Sequence, residues 1–300
     1  MTERKTYGLD IERERAAQDG TEDIYVGGES PECIATIPQE KREEYLPEGE
    51  VQRTDKDDLM DCATRVVENI LETKLTYLLR NKLLKPANEA FLRDNGYVVS
   101  KPFSECVVLA DAFNAILSHT TRAGNSLKEP LHSVHEDGVI PKAMLPLEFW
   151  MSFDDYHDPK RITGKMTRLG KEFAARFPFR YEKVFEKDYG ELIEKDMLDV
   201  AGYAWPEQNA EGWYVRSEEP VNHAFAFIRK IPLLNGHPFL KRIFDNYIAD
   251  QTFLKDLAND YDMLDYGYRI YIISEENDNP SLHENWVMDL WYRFLKIFNL

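Results

Sequence analysis

The stretch DDLMDCATRVVENILETKL, residues 57–75, places Cys62 behind a knot of acids and just ahead of a helical run. A cysteine in the first turn of a helix lies near free N–H groups and the positive end of the helix dipole, and both favour thiolate. The same N–H groups can hold an oxyanion during acyl transfer. Asp57, Asp58 and Asp61 work against the thiolate, so activation has to come from elsewhere in the chain. The segment HAFAFIRKIPLLNGHPFLKRIFDNY, residues 223–247, offers a source. Asn235-Gly236 is a strong two-residue hairpin signal, because both positions tolerate positive φ. With that loop, opposed residues carry numbers that total 471, so His223 faces position 248 and Asn246 faces position 225. Positions 223 and 225 share a strand face. His223 and Asn246 are then diagonal neighbours, roughly 7–8 Å apart and within side-chain reach. An imidazole beside an amide is the base and orienter that an activated thiol needs. The parity belongs to a regular ladder; a bulge would shift the register by one and turn Asn246 to the other face.

Two kinds of element have to position these residues. From Leu59 to Leu84 apolar residues recur at helical spacing, Asp58 or Asp61 can cap the start, and LLKPANE stops the helix near Pro86. Further helices are expected over 104–118, over 127–137 up to Gly138, over 165–177 and over 187–196. From Met197 the texture changes to short β-branched and aromatic runs: MLDVAGYAW, GWYVRS, HAFAFIRKI, FLKRIFDNY and YGYRIYII. The last stretch, ENWVMDLWYRFLKIFNL, reads as an amphipathic helix. A helical part followed by a strand part implies an α+β protein of two lobes. The organisation read from the sequence is an N-terminal arm over 1–50, a helical lobe over 51–165 carrying Cys62, a β-rich lobe over 166–275 carrying His223 and Asn246, and a C-terminal helix over 276–300.

Composition narrows the function classes. The formal net charge of −17 over 300 residues opposes binding to nucleic acid or to an anionic membrane, since phosphates call for clustered Lys and Arg. No apolar run is long enough to span a bilayer, and MTERKTYGLDIERER lacks the apolar segment of a signal peptide, so a cytoplasmic location is expected. The three cysteines, Cys33, Cys62 and Cys106, form neither a disulfide framework nor a zinc site. His132 and His135 lie three apart on one helix without a third ligand in view, and read as a solvated face. NDYDMLDYG lacks the glycine and terminal glutamate of a calcium loop, TGKMT and LGKEF lack the upstream glycine of a phosphate loop, and no G-x-S-x-G occurs. No cofactor and no metal is expected.

In order along the chain, these residues resemble the papain-like cysteine peptidases. DLMDCATRVVENILE resembles the nucleophile helix, VNHAFAFI the strand that opens with the catalytic histidine, RIFDNY the strand that bears the orienting asparagine, and YGYRIYI the final strand. RAGNSLKEPLHSVHEDGVIPKAMLP is similar to the family's Gly-Asn turn and the helix after it. GNS and GKEF…RF…YE give a further likeness to papain-like proteins of tailed bacteriophages. The resemblance implies an α+β papain-like two-lobe fold, with a helical lobe, an antiparallel β-sheet or barrel lobe, and the active-site cleft between them. It implies Cys62 as nucleophile, His223 as general base and Asn246 as orienter.

The departures are specific. The glutamine that donates to the oxyanion, usually six residues before the cysteine, is replaced by Lys56; Gln52 lies ten before and serves only if the residues between loop out. Ala63 stands where a tryptophan is usual, and YIAD replaces the serine-tryptophan-glycine run whose indole shields the histidine. The family's long inhibitory prosegment has at most residues 1–50 to match it. The resulting expectation is a thiol hydrolase that cleaves peptide or isopeptide bonds of a protein or peptide substrate through Cys62, His223 and Asn246. The alternative is a catalytically silent papain-fold protein that binds other proteins, such as those of a virion.

Overall fold

The computed structural model describes residues 7–18, 36–101, 104–205, 207–216, 218, 220–233, 239–247 and 253–273. The Asn235–Gly236 turn, Cys33 and the C-terminal helix expected over 276–300 lie outside the described residues.

After a short helix α1 (Ile11–Ala17) and a 3-10 turn (Gln39–Glu44), the chain forms α2 (Cys62–Arg80), α3 (Pro86–Asp94), β1 (Val98–Lys101), β2 (Ser104–Val107), α4 (Asp111–Leu117) and α5 (Lys128–Asp137). It continues through α6 (Phe153–Tyr156), α7 (Gly164–Arg176), β3 (Phe179–Phe185), α8 (Glu186–Lys195), β4 (Leu198–Gly202), β5 (His223–Ile231), β6 (Leu240–Phe244), β7 (Leu254–Leu257) and β8 (Tyr266–Ile272). β1 and β2 form a ribbon; the other six strands form one antiparallel sheet in the order β3-β8-β4-β5-β6-β7. The architecture is α+β, as expected.

The expected helices over 127–137, 165–177 and 187–196 are α5, α7 and α8, and Gly138 ends α5 with φ 68, a conformation that disfavours a side chain. The helix expected over 104–118 splits: SECV pairs as β2 against β1, and the helical turn begins only at Asp111. Helical spacing in SECVVLADAF conceals a β-branched opening that the ribbon claims. β3 was not legible either, because FRYEKVF mixes charges into a strand whose long side chains are half buried.

α2 is the axis of the molecule. Seventeen of its residues are buried, and it lies against β5, so Cys62 is carried to the edge of the sheet where β5 begins. One apolar core runs from the helices onto the facing side of the sheet, including Val66, Ile70, Phe113, Ala224 and Ile270. A second, with Leu192, Ile193, Val200 and Phe225, fills the opposite side beneath α8.

A helix buried all round has to satisfy its polar residues internally. Arg65 bonds Asp61 at 2.8 Å and Asp111 at 2.8 Å. Lys74 grips both oxygens of Asp196 at 2.6 and 2.7 Å, and Arg269 approaches the same carboxylate at 3.3 Å. Lys74 thus ties α2 to the turn between α8 and β4, and Arg65 ties it to α4 through Asp111; together these pairs fix the rotation of α2, and with it the direction of the Cys62 thiol. Substituting one partner of such a pair strands the other. Lys74→Met is therefore expected to cost about 3 kcal/mol of unfolding free energy, read as a lower urea midpoint with an unchanged slope.

Candidate active site

Cys62 opens α2 and is 2% exposed. Its thiol accepts a bond from the backbone N–H of Ala224, the residue after His223, at 3.4 Å, and the His223 ring is near enough to favour its ionisation. The sheet edge thus meets the helix N-terminus where sequence places the nucleophile and the base. Asp61, which threatened the thiolate from the preceding position, faces away from it. Its carboxylate accepts from Arg65 at 2.8 Å and from the Tyr156 hydroxyl at 2.8 Å.

His223 is fully buried and bonded at both nitrogens. Nε2 donates to Asp245 Oδ1 at 2.6 Å, and Nδ1 donates to the backbone carbonyl oxygen of Tyr7 at 2.8 Å. A carbonyl oxygen and a carboxylate can only accept, so the ring carries both protons. Burial alone would lower the imidazole's pKa, but Asp245 and the Cys62 thiol outweigh it and push the ring up to about 10. Burial raises the Cys62 thiol, and the imidazolium beside it pulls only part of the way back. Asp245 itself is raised by burial and brought below the usual carboxylate range by His223 and Lys255.

The partner of His223 is one residue earlier than expected. Near the turn, Arg229 opposes Arg242, a total of 471, but Phe227 opposes Ile243, a total of 470, and Ala226 opposes Phe244. A bulge at Ile228 takes up one residue, so β5 meets β6 in the shifted register. Continued one step, that register sets Asp245 opposite Phe225 and on the His223 face. Asn246 turns away, accepts a bond from the Asn69 amide, and donates to Glu50 O at 2.9 Å.

Asn246 still serves the site at one remove. Its backbone carbonyl oxygen accepts from Gln52 N at 3.1 Å, so it anchors the segment that presents Gln52. The residues between Gln52 and Cys62 loop out as that glutamine requires: Arg53 bridges Asp58, and Thr54 N bonds Asp57 O at 2.9 Å. Gln52 is fully buried, and its amide nitrogen donates to Tyr7 O at 3.0 Å and to Asp58 Oδ1 at 3.0 Å.

The arm therefore runs through the site. Tyr7 and Leu9 donate N–H bonds to Asn222 O at 3.2 and 3.3 Å, and Asn125 N bonds Gly8 O at 2.9 Å while Asp10 N bonds Asn125 O at 2.8 Å. Gly8, with φ 104, lies over the nucleophile: a Cβ there would be 2.8 Å from Cys62 Sγ. Beyond it, α1 is pinned by Arg13 to Ser118 O and His119 O at 2.8 and 2.7 Å, and by Glu14 to Leu127 N at 2.6 Å.

Two residues were missed. Asp245 was visible beside Asn246 but had the wrong parity. Trp205 lies 5.5 Å from the imidazole, edge to face, and supplies from the loop after β4 the indole whose loss YIAD implied. His135, one of the paired helical histidines, bonds Phe179 O at 2.7 Å.

No protein-family model matches the sequence, and no curated protein matches it. Solved structures do. Procathepsin B S9 from Trypanosoma congolense superposes with a TM-score of 0.53 at 10% identity, over 90% of this chain and 87% of that one. A structure from work on the mite allergens Blo t 1 and Der p 1 superposes at 0.50 and 10% identity, over 89% of this chain and 78% of that one. The fold is papain-like. At such identity the likeness concerns the path of the chain, and what the site can do rests on the contacts above.

The raised imidazole ties stability to pH. A group whose folded pKa exceeds its unfolded value, about 6.5 for histidine, stabilises fully below that value and loses the contribution as pH rises toward about 10. The melting temperature is expected to fall between pH 7 and 10, and to fall less steeply in Asp245→Asn, whose His223 is already neutral in that range. Scanning calorimetry at a series of pH values reads the difference.

Proposed function

We propose that this protein is a cysteine peptidase with Cys62 as nucleophile, His223 as general acid and base, Asp245 as orienter in place of the expected Asn246, and Gln52 as an oxyanion donor. The observation that carries the reading is the Tyr7 carbonyl oxygen. It is a peptide carbonyl gripped by Gln52 Nε2 and His223 Nδ1 beside the Cys62 thiol. A site that binds one backbone carbonyl in this way is built to bind another.

Once the arm has left, the ring releases its Nδ1 proton to solvent, takes the thiol's proton in its place, and the sulfur attacks the carbonyl carbon of a peptide or isopeptide bond. Charge on the oxygen settles toward the Gln52 amide and the N–H at the start of α2. The tetrahedral adduct collapses as the imidazolium gives its proton to the departing amine. Water then attacks the acyl-enzyme, His223 takes the water's proton, and the acid product leaves with the thiol restored. Transfer to an amine in place of water needs no change in these residues.

With residues 7–10 in the site, the chain is in a latent form, and substrate enters when the arm moves out. The second reading, a silent module whose plugged cleft belongs to a larger assembly such as a virion, draws on the burial of Cys62 beneath Gly8. The likeness to papain-like proteins of tailed bacteriophages belongs to that reading.

Labelling with an epoxide probe for cysteine peptidases separates the two. Adducts on the full-length chain are expected at Cys62 and to be lost in His223→Ala. A side chain at Gly8 meets Cys62 and adopts a strained φ, so Gly8→Val is expected to displace the arm and speed labelling about tenfold, from ~1–2 kcal/mol of strain. Cys62 labelling no faster than Cys106 in all three proteins favours the silent module.

A further inference from the structure

Behind the bond that orients His223 lies a second buried cation. Asp245 Oδ1 accepts from His223 Nε2 at 2.6 Å and from Tyr247 N at 3.0 Å, while Oδ2 accepts from Lys255 Nζ at 2.7 Å. Lys255 comes from β7, the strand paired with β6, and its side chain is fully buried. Its ammonium also donates to Tyr247 O at 2.9 Å and lies 4.9 Å from the centre of the Trp205 ring, whose indole packs against His223.

A lone carboxylate behind an imidazolium is a full negative charge in a dry site. It holds the ring proton tightly, and a proton held too tightly is slow to reach a departing amine. A carboxylate whose far oxygen is bonded to a buried ammonium is different. Part of its charge is offset before it reaches the ring, yet one oxygen still points a lone pair at Nε2.

We propose that Lys255 is a positioning residue that offsets part of the Asp245 charge, so that the Asp245–Lys255 pair presents to His223 an oriented acceptor of less than full negative charge. The titratable groups facing His223 are Cys62 from α2, Asp245 and Tyr247 after β6, Lys255 from β7 and Tyr7 from the arm. At one remove, Asp61 acts on Cys62, and Tyr261 and Asp245 act on one another. Lys255 is the cation among them that bonds Asp245 directly, so it sets the charge that the ring sees. The catalytic consequence rests on the peptidase reading; the charge balance does not.

The test is a pH titration of the His223 ring by nitrogen NMR in the full-length protein labelled at histidine. Four proteins are compared: wild type, Lys255→Met, Asp245→Asn and the double variant. The proposal predicts an order. Lys255→Met titrates highest and wild type next, the double variant lower, and Asp245→Asn, with its ammonium uncompensated, lowest, with Lys255→Met above wild type and the double variant above Asp245→Asn by about one pH unit or more. A merely structural lysine would lower stability without imposing that order. Lys255→Met titrating with wild type, or the double variant titrating with Asp245→Asn, overturns the proposal. If Lys255→Met does not fold, the double variant decides, since it removes both members of the pair. It has to fold and titrate above Asp245→Asn, and failure of either contradicts the proposal. The readout is the ring itself, so absence of peptidase activity would leave this result standing.

Discussion

The 2.6 Å bond from His223 to Asp245 is the contact on which the rest of the site depends. It sets the ring plane, keeps the second proton on the imidazole, and points Nδ1 toward the space above Cys62. Its existence turns on one inserted residue in β5. Without the bulge at Ile228 the ladder would bring Asn246 to the histidine and leave Asp245 on the far face, a buried carboxylate beyond reach of the imidazolium. The bulge therefore selects which of two adjacent side chains becomes the partner. Lys255 and Trp205 then enclose the one selected.

The second constraint is the rotation of α2. A helix buried on nearly every face cannot use an apolar stripe alone to choose its orientation, because no side is left to water. Arg65 to Asp111 on α4, and Lys74 to Asp196, choose it instead, since any other rotation would strand charges in the core. Such pairs add little net stability and a great deal of specificity. The arm is fixed by similar means: Glu14 is buried and bonds the backbone of the loop before α5. The peptide that lies across the nucleophile is thus held from both ends, by the site itself at Tyr7 and by α1.

Much of this could be read from the sequence. Helical spacing after Cys62, the Gly-Asn turn before α5, and the change of texture near Met197 sufficed for an α+β chain and for the meeting of Cys62 with His223. Gln52 was legible as soon as the extra residues before Cys62 were allowed to loop out. Asp245 was not, because strand parity is alternating and a single bulge inverts it, while nothing in HAFAFIRKI marks Ile228 as the inserted residue. Trp205 was equally hidden: it approaches from a loop, where no periodicity ties residue number to direction. The path of residues 7–10 rests on backbone hydrogen bonds, which leave almost no trace in side-chain pattern beyond Gly8.

Asp245, and not Asn246, holds the His223 imidazole. Rates of Cys62 alkylation in Asp245→Ala and Asn246→Ala, each paired with Gly8→Val so that the thiol is reached, test it most directly. Asp245→Ala is expected to bring the rate down to that of His223→Ala in the same background. Asn246→Ala, which removes side-chain bonds to Glu50 O and the Asn69 amide but leaves the partner of His223 in place, is expected to keep most of it. The reverse ranking, with Asn246→Ala silent and Asp245→Ala fast, would contradict the assignment.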